Sequence, residues 1–205
     1  MRTDDLIFVS ENERSDSDVP FFRNLREQKK IISGIVKSAK EEKKRQLRYI
    51  QMSAEDFAQL PENELFDAAY ARTNAKLDRF ENVRDGVRTL SKPQKVFFAA
   101  SYYEMEVSNG GLCQFFVNSS RCIAPVLSEC LQEIGADEHK ALFDAFVSDN
   151  QIDVRDFSSF EIDDLSAFTA QTERYPFDEF DEAFYALPPL TDYLTAYVQK
   201  HISAF

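Results

Sequence analysis

SKPQKVFFAASYYEMEVSNGGLCQFFVNSS, residues 91–120, is the stretch that decides the fold. Ser91 followed three residues later by Gln94 is a capping box, and Pro93 fits inside a first helical turn, where its missing N–H is no loss. From there Val96, Phe97, Ala100, Tyr103 and Val107 recur at helical spacing, which predicts a helix over Lys92–Val107 with that face inward. Ser108-Asn109-Gly110-Gly111 should end it, because glycine reaches positive φ without steric cost. Helical spacing then resumes from Leu112 to Asn118. Gln114 and Asn118 share one face beside Phe115 and Phe116, so their amides should be buried and must find partners. The backbone groups freed at the Asn109-Gly110-Gly111 turn are the natural ones. Asn109, Gly110, Gly111, Gln114 and Asn118 therefore read first as a structural clamp and second as the lining of a ligand pocket that would also use Glu104.

Outward from this stretch the pattern stays helical. Five glycines and seven prolines in 205 residues are too few for the frequent tight turns of a β architecture. Ser53 caps a helix that opens on Glu55 and Asp56, and Pro61 opens another with Leu65, Phe66, Ala69, Tyr70, Thr73, Leu77 and Phe80 on one face. Pro125 starts a helix that Gly135 stops, and Asp137 caps the next. Residues 148–160 read as a polar connection and Glu161–Thr172 as a helix. After Pro176 the phenylalanines Phe177, Phe180 and Phe184 form one stripe with acids opposite, Pro188-Pro189 breaks it, and Leu190–Ile202 forms a last amphipathic helix. The expected fold is all-α: an irregular multi-helix bundle over residues 53–205, preceded by a polar and basic helical extension over residues 1–52.

Charge is unevenly spread. The net charge is −12, yet residues 1–48 carry 12 Lys and Arg against 9 Asp and Glu, and residues 122–205 carry 4 against 17. Between Arg23 and Arg48 ten bases meet three acids, with Leu25, Ile32, Ile35, Val36 and Ala39 forming a narrow apolar stripe. Such a basic amphipathic helix suits nucleic acid, a membrane surface, or the chain's own acidic part. The acidic half repels DNA and anionic membranes and attracts basic partners, although plain solubility is the simpler reading of acidity.

Chemistry-bearing patterns are scarce. The two histidines, His139 in the first turn of one helix and His201 in the last turn of another, read as capping or surface residues. There is no H-E-x-x-H, G-x-S-x-G, G-x-G-x-x-G or P-loop pattern, and Glu129 and Glu133 are a chance pair in an acidic region. Cys113, Cys122 and Cys130 have neither disulfide arithmetic nor zinc spacing. No catalytic, cofactor-binding or metal site is expected. No run is long and apolar enough for a bilayer, and the start is unlike a signal peptide, so the cytoplasm is the expected compartment.

The N-G-G-x-x-Q-F-x-x-N-S-S pattern over Asn109–Ser120, with Leu131-Gln132-Glu133-Ile134-Gly135-Ala136 and the segment Tyr175–Tyr185, resembles the DNA-mimic protein family from about Leu65 onward. The resemblance implies an all-α, non-enzymatic domain. The family's namesake is an acidic dimer that occupies the DNA-binding surface of a helix-turn-helix transcription factor. A mimic needs ordered rows of carboxylates in place of phosphates, spaced at roughly 3.4 Å per strand step. The candidates are Asp153, Asp156, Asp163, Asp164, Asp178, Glu179, Asp181 and Glu182. The implied partners are a basic protein, such as a DNA-binding transcription regulator, and a second copy of the chain in a homodimer, with no membrane and no direct DNA contact by the acidic domain. The alternatives are an adaptor that uses the basic N-terminal helix on nucleic acid or a partner, and, third, an enzyme of unknown class.

Overall fold

The computed structural model describes residues 20–156, 158–162 and 165–205, with ten α-helices and no strand among them. The chain divides into two compact units, Met1–Arg45 and Gln46–Phe205. Helix α1 (Pro20–Gln51) runs through that division, and the short α2 (Ala54–Ala58) follows it. In its first part, Lys37–Glu41 and Glu42–Arg45 are side-chain ion pairs one turn apart, and Ile31, Ile32, Ile35 and Val36 are exposed. Among the described residues no helix is long and apolar enough to cross a membrane.

The second unit is built around α5 (Lys92–Val117), whose residues from Val96 to Ala100, together with Tyr103, Val107, Leu112, Phe115 and Phe116, are buried. Its start is the capping box: the Ser91 hydroxyl accepts from Gln94 N–H at 3.4 Å, and Ser91 N–H donates to the Gln94 side chain at 3.1 Å. Around it lie α3 (Glu62–Leu77), α6 (Ala124–Glu133), α9 (Phe177–Ala186) and α10 (Leu190–Lys200), with the 3₁₀ turn Ser119–Ile123 closing its end. Helix α7 (Asp137–Asp149) packs on both α6 and α9, while α8 (Leu165–Thr172) touches α5.

Aromatic rings carry the core. Tyr103 meets Phe115, Phe143 and Phe184 edge to face at 5.2, 5.9 and 5.7 Å, and Phe116 stacks on Phe160 at 4.8 Å. Each buried ring contributes roughly 2–3 kcal/mol by leaving water, and the edge-to-face geometry adds to that. The polar connection over residues 148–160 thus ends in a ring, Phe160, that anchors it.

Local signals locate the boundaries. Gly135 has φ +81°, and the bonds Ala136 N–H to Leu131 O (2.9 Å) and Gly135 N–H to Gln132 O (3.1 Å) end α6 in a Schellman motif. Two elements had no reading in the sequence. One is α4 (Val83–Thr89), capped by the Asn82 side chain and packed on α3 so closely that a Cβ on Gly86 would lie 3.0 Å from Leu77. The other is the tie made by Arg72, which donates to the carbonyls of Tyr49, Met52 and Phe205 at 3.2, 2.8 and 3.0 Å. It fixes the end of α1 and the final residue to α3, so Tyr49 through Met52 pack with the second unit.

Candidate functional site

The Asn109-Gly110-Gly111 turn is a kink inside α5, where Gly110 (φ −161°, ψ 26°) and Gly111 (φ 76°, ψ 178°) leave helical geometry. The reorientation carries Gln114 and Asn118 back toward the turn that precedes it, and there they meet Glu106. Gln114 Nε2 and Asn118 Nδ2 donate to Glu106 Oε2 at 2.8 and 2.9 Å, and the Ser120 hydroxyl donates to Oε1 at 2.9 Å. Glu106 is buried. A buried carboxylate is stable only with its lone pairs taken up, and here three donors do so.

This corrects the partners expected for the amides. The backbone groups freed at the kink go instead to α9: Leu112 N–H donates to Asp181 Oδ1 at 2.8 Å, and Tyr185 donates its hydroxyl proton to Val107 O at 2.9 Å. A carboxylate one turn before the kink outcompetes backbone carbonyls because charge-assisted bonds are stronger. Glu106 stood in the stretch that decides the fold, three residues before Asn109, and a buried acid beside two amides was the available signal. Glu104, the pocket candidate, accepts from both the backbone N–H and the hydroxyl of Thr191 at 3.2 and 3.0 Å, capping α10. The side chains that a catalytic reading would use here are bonded to one another or to helix ends.

His139 is neither a cap nor a surface residue. It is 1% exposed, with Nε2 donating to Pro188 O at 2.7 Å and its ring edge-on to Phe184 at 5.0 Å. Position 139 falls on the face of α7 that also carries Phe143 and Phe146, so the ring goes inward with them. His201 is the C-cap of α10, its ring tilted against that of Tyr197 at 4.4 Å between centroids.

The candidate acids separate. Asp178, Glu179 and Glu182 are exposed on the side of α9 opposite Phe177, Phe180 and Phe184. Asp181, proposed with them, borders the phenylalanine stripe and is turned to the kink. Burial pushes its carboxyl above the ordinary range, the Leu112 N–H pulls it back, and Asp178 adds to the rise. An acid with a raised folded-state pKa contributes most to stability at low pH and loses that contribution as pH rises through the folded value. Asp181→Asn keeps the acceptor and drops the charge. In urea melts its stability relative to wild type should therefore be better at pH 7 than at pH 4, and the reverse order would refute this role.

Asp153 and Asp156 are exposed but organise turns, accepting from Arg155 N–H at 2.9 Å and Ser158 N–H at 3.0 Å. The Ser158 bonds hold the Asp156 carboxyl below its ordinary range. Asp163 and Asp164 lie outside the described residues. Asp149, not among the candidates, sits across a shallow groove from Glu179; the groove between α7 and α9 encloses about 300 Å³ over Leu142, Phe146 and Phe180. Only the tertiary pairing of α7 with α9 brings that acid to the row.

The family model for DMP19-like protein matches residues 88–201, a span that takes in α5, both halves of its kink, and the acidic helix α9. No curated protein and no solved structure shows a significant match. The match covers more than half of the chain, beginning later than the resemblance from Leu65 implied, and the chain belongs to the DMP19-like family.

Proposed function

We propose that the second unit is a non-catalytic interaction module that presents carboxylates to a basic DNA-binding protein, of the helix-turn-helix regulator kind, where DNA would place phosphates. Family membership supports a DNA mimic in general terms. The observation that carries the finer reading is the exposed set Asp178, Glu179 and Glu182 on one side of α9, extended by Asp149 across the α7–α9 groove. The Asn109–Ser120 pattern supports the scaffold only, since Glu106 and the amides face one another.

Across a panel of helix-turn-helix regulators, the full chain should displace operator DNA from one of them. Replacing Asp178, Glu179 and Glu182 together by Asn, Gln and Gln should weaken that complex by about tenfold, taking each exposed pair at ~0.5 kcal/mol. Displacement of no operator in the panel, or an unchanged affinity for the triple variant, would defeat the reading.

The adaptor reading keeps one specific support, the exposed basic and apolar faces of α1. On that reading the full chain itself shifts DNA or RNA in a low-salt gel. On the mimic reading it does not.

A further inference from the structure

Of the twelve Lys and Arg that follow Arg48, six line one groove: Arg84, Arg88, Lys92, Lys95, Arg121 and Arg155. Arg84, Arg88, Lys92 and Lys95 fall within twelve residues of sequence, on α4 and the first turn of α5, and folding adds Arg121 from the Ser119–Ile123 turn and Arg155 from the connection after α7. The cavity holds about 850 Å³, and its apolar part includes Val87, Val96, Phe98, Ile123 and Val126. No Asp or Glu is among its lining residues. Three of the bases are partly neutralised from outside it, Arg88 by Asp85 at 3.0 Å, Lys92 by Glu133 at 2.7 Å and Arg121 by Glu161 at 4.0 Å. Arg84, Lys95 and Arg155 have no acidic partner among the described residues.

In a unit that is otherwise strongly acidic, unpaired bases gathered at one apolar cavity are a selective feature. They repel one another, and an anion held among them relieves that repulsion. The volume lies in the range of small-molecule pockets, which combine apolar walls with a few convergent polar groups. We propose that this groove binds a small amphipathic anion, with an apolar body against Val96, Phe98 and Val126 and a phosphate or carboxylate head among Arg84, Lys95 and Arg155. The site is separate from the α9 acids, so its occupancy stands or falls independently of the mimic reading.

Cys122 supplies the readout. It is exposed and lines the groove, whereas Cys113 and Cys130 are buried with thiols pushed up to about 11 by burial. Iodoacetamide at neutral pH should therefore alkylate Cys122 first in the folded full chain. Octyl phosphate below its micelle concentration should slow that alkylation at least tenfold, saturably, while octanol and inorganic phosphate at the same concentration change it less than twofold. A Lys95→Glu, Arg155→Glu variant, which touches no ion pair, should keep the wild-type circular dichroism melt and lose the protection. Equal protection by octanol, by phosphate alone or in the variant would overturn the proposal. So would protection by a hexaglutamate peptide without protection by octyl phosphate, which would make the occupant an acidic macromolecule.

Discussion

Replacing Glu106 by alanine is expected to destabilise the protein by about 3 kcal/mol, since it strands three donors at the kink, each worth roughly 1 kcal/mol or more once unpaired. In a chain of this size that corresponds to a fall of about 10 °C in Tm. The amide and hydroxyl donors of Gln114, Asn118 and Ser120 come from three positions after the kink, while their acceptor comes from before it. The carboxylate thus holds the two halves of α5 at their angle. Glu106→Gln tests whether charge or mere hydrogen bonding does this. Its amide oxygen still accepts, but its NH₂ faces a donor, so a loss of about 1 kcal/mol is expected. A Glu106→Ala melt within 2 °C of wild type would show that the kink is held by α9 alone.

Gly111→Ala should cost a similar amount, about 3 kcal/mol, by two routes. At φ 76° and ψ 178°, a region that essentially only glycine adopts, an alanine is strained by roughly 1–3 kcal/mol. Its Cβ would also overlap the Asp181 carboxylate that caps Leu112. Gly110→Ala makes the contrast. Its φ of −161° lies outside the left-handed region, and the added Cβ overlaps the Gln114 amide and comes within 3.2 Å of the Gln114 Cβ. That amide can swing away, forfeiting its bond to Glu106, for about 1 kcal/mol. The double variant Gly111→Ala, Asp181→Ala relieves the overlap and leaves the backbone strain, so its loss should be smaller than the sum of the singles. Chemical denaturation of wild type, the Gly110→Ala, Gly111→Ala and Asp181→Ala variants and the double variant checks the order. Equal losses at positions 110 and 111 would contradict the account.

The kink also shows what was readable in advance. Ser91 and Gln94, Gly135, and the spacing of Val96, Tyr103 and Val107 are local devices whose cause lies within a few residues, and each appears in the structure as its residues suggest. The all-α architecture followed from them. What was not legible depends on contacts distant in sequence. Arg72 reaches a carbonyl 133 positions away. Asp181 looked like one more surface acid because its 69-residue separation from Leu112 gives no pattern. His139 was misread as peripheral because a lone histidine does not announce a partner such as Pro188 O. The basic groove was legible only in part: Arg84, Arg88, Lys92 and Lys95 lie within twelve residues with Asp85 as the one acid among them, whereas only folding sorts Arg121 and Arg155 to the same place.

That sorting bears on the functional reading. Half of the later bases are confined to one groove, and Asp178, Glu179 and Glu182 stand on α9 away from its lining. On the proposed reading, the acid that matters is a small row on one helix rather than the charge of the whole chain. Asp153 and Asp156 flank Arg155, a base of the groove, and add less to such a row.

The measurement that bears most directly on this is the salt dependence of the complex with the regulator whose operator is displaced. If carboxylates take the place of phosphates, Kd should rise with salt between about 50 and 200 mM, and the triple variant at Asp178, Glu179 and Glu182 should show a shallower slope. A Kd that is independent of salt, or a variant slope equal to that of wild type, would contradict the account.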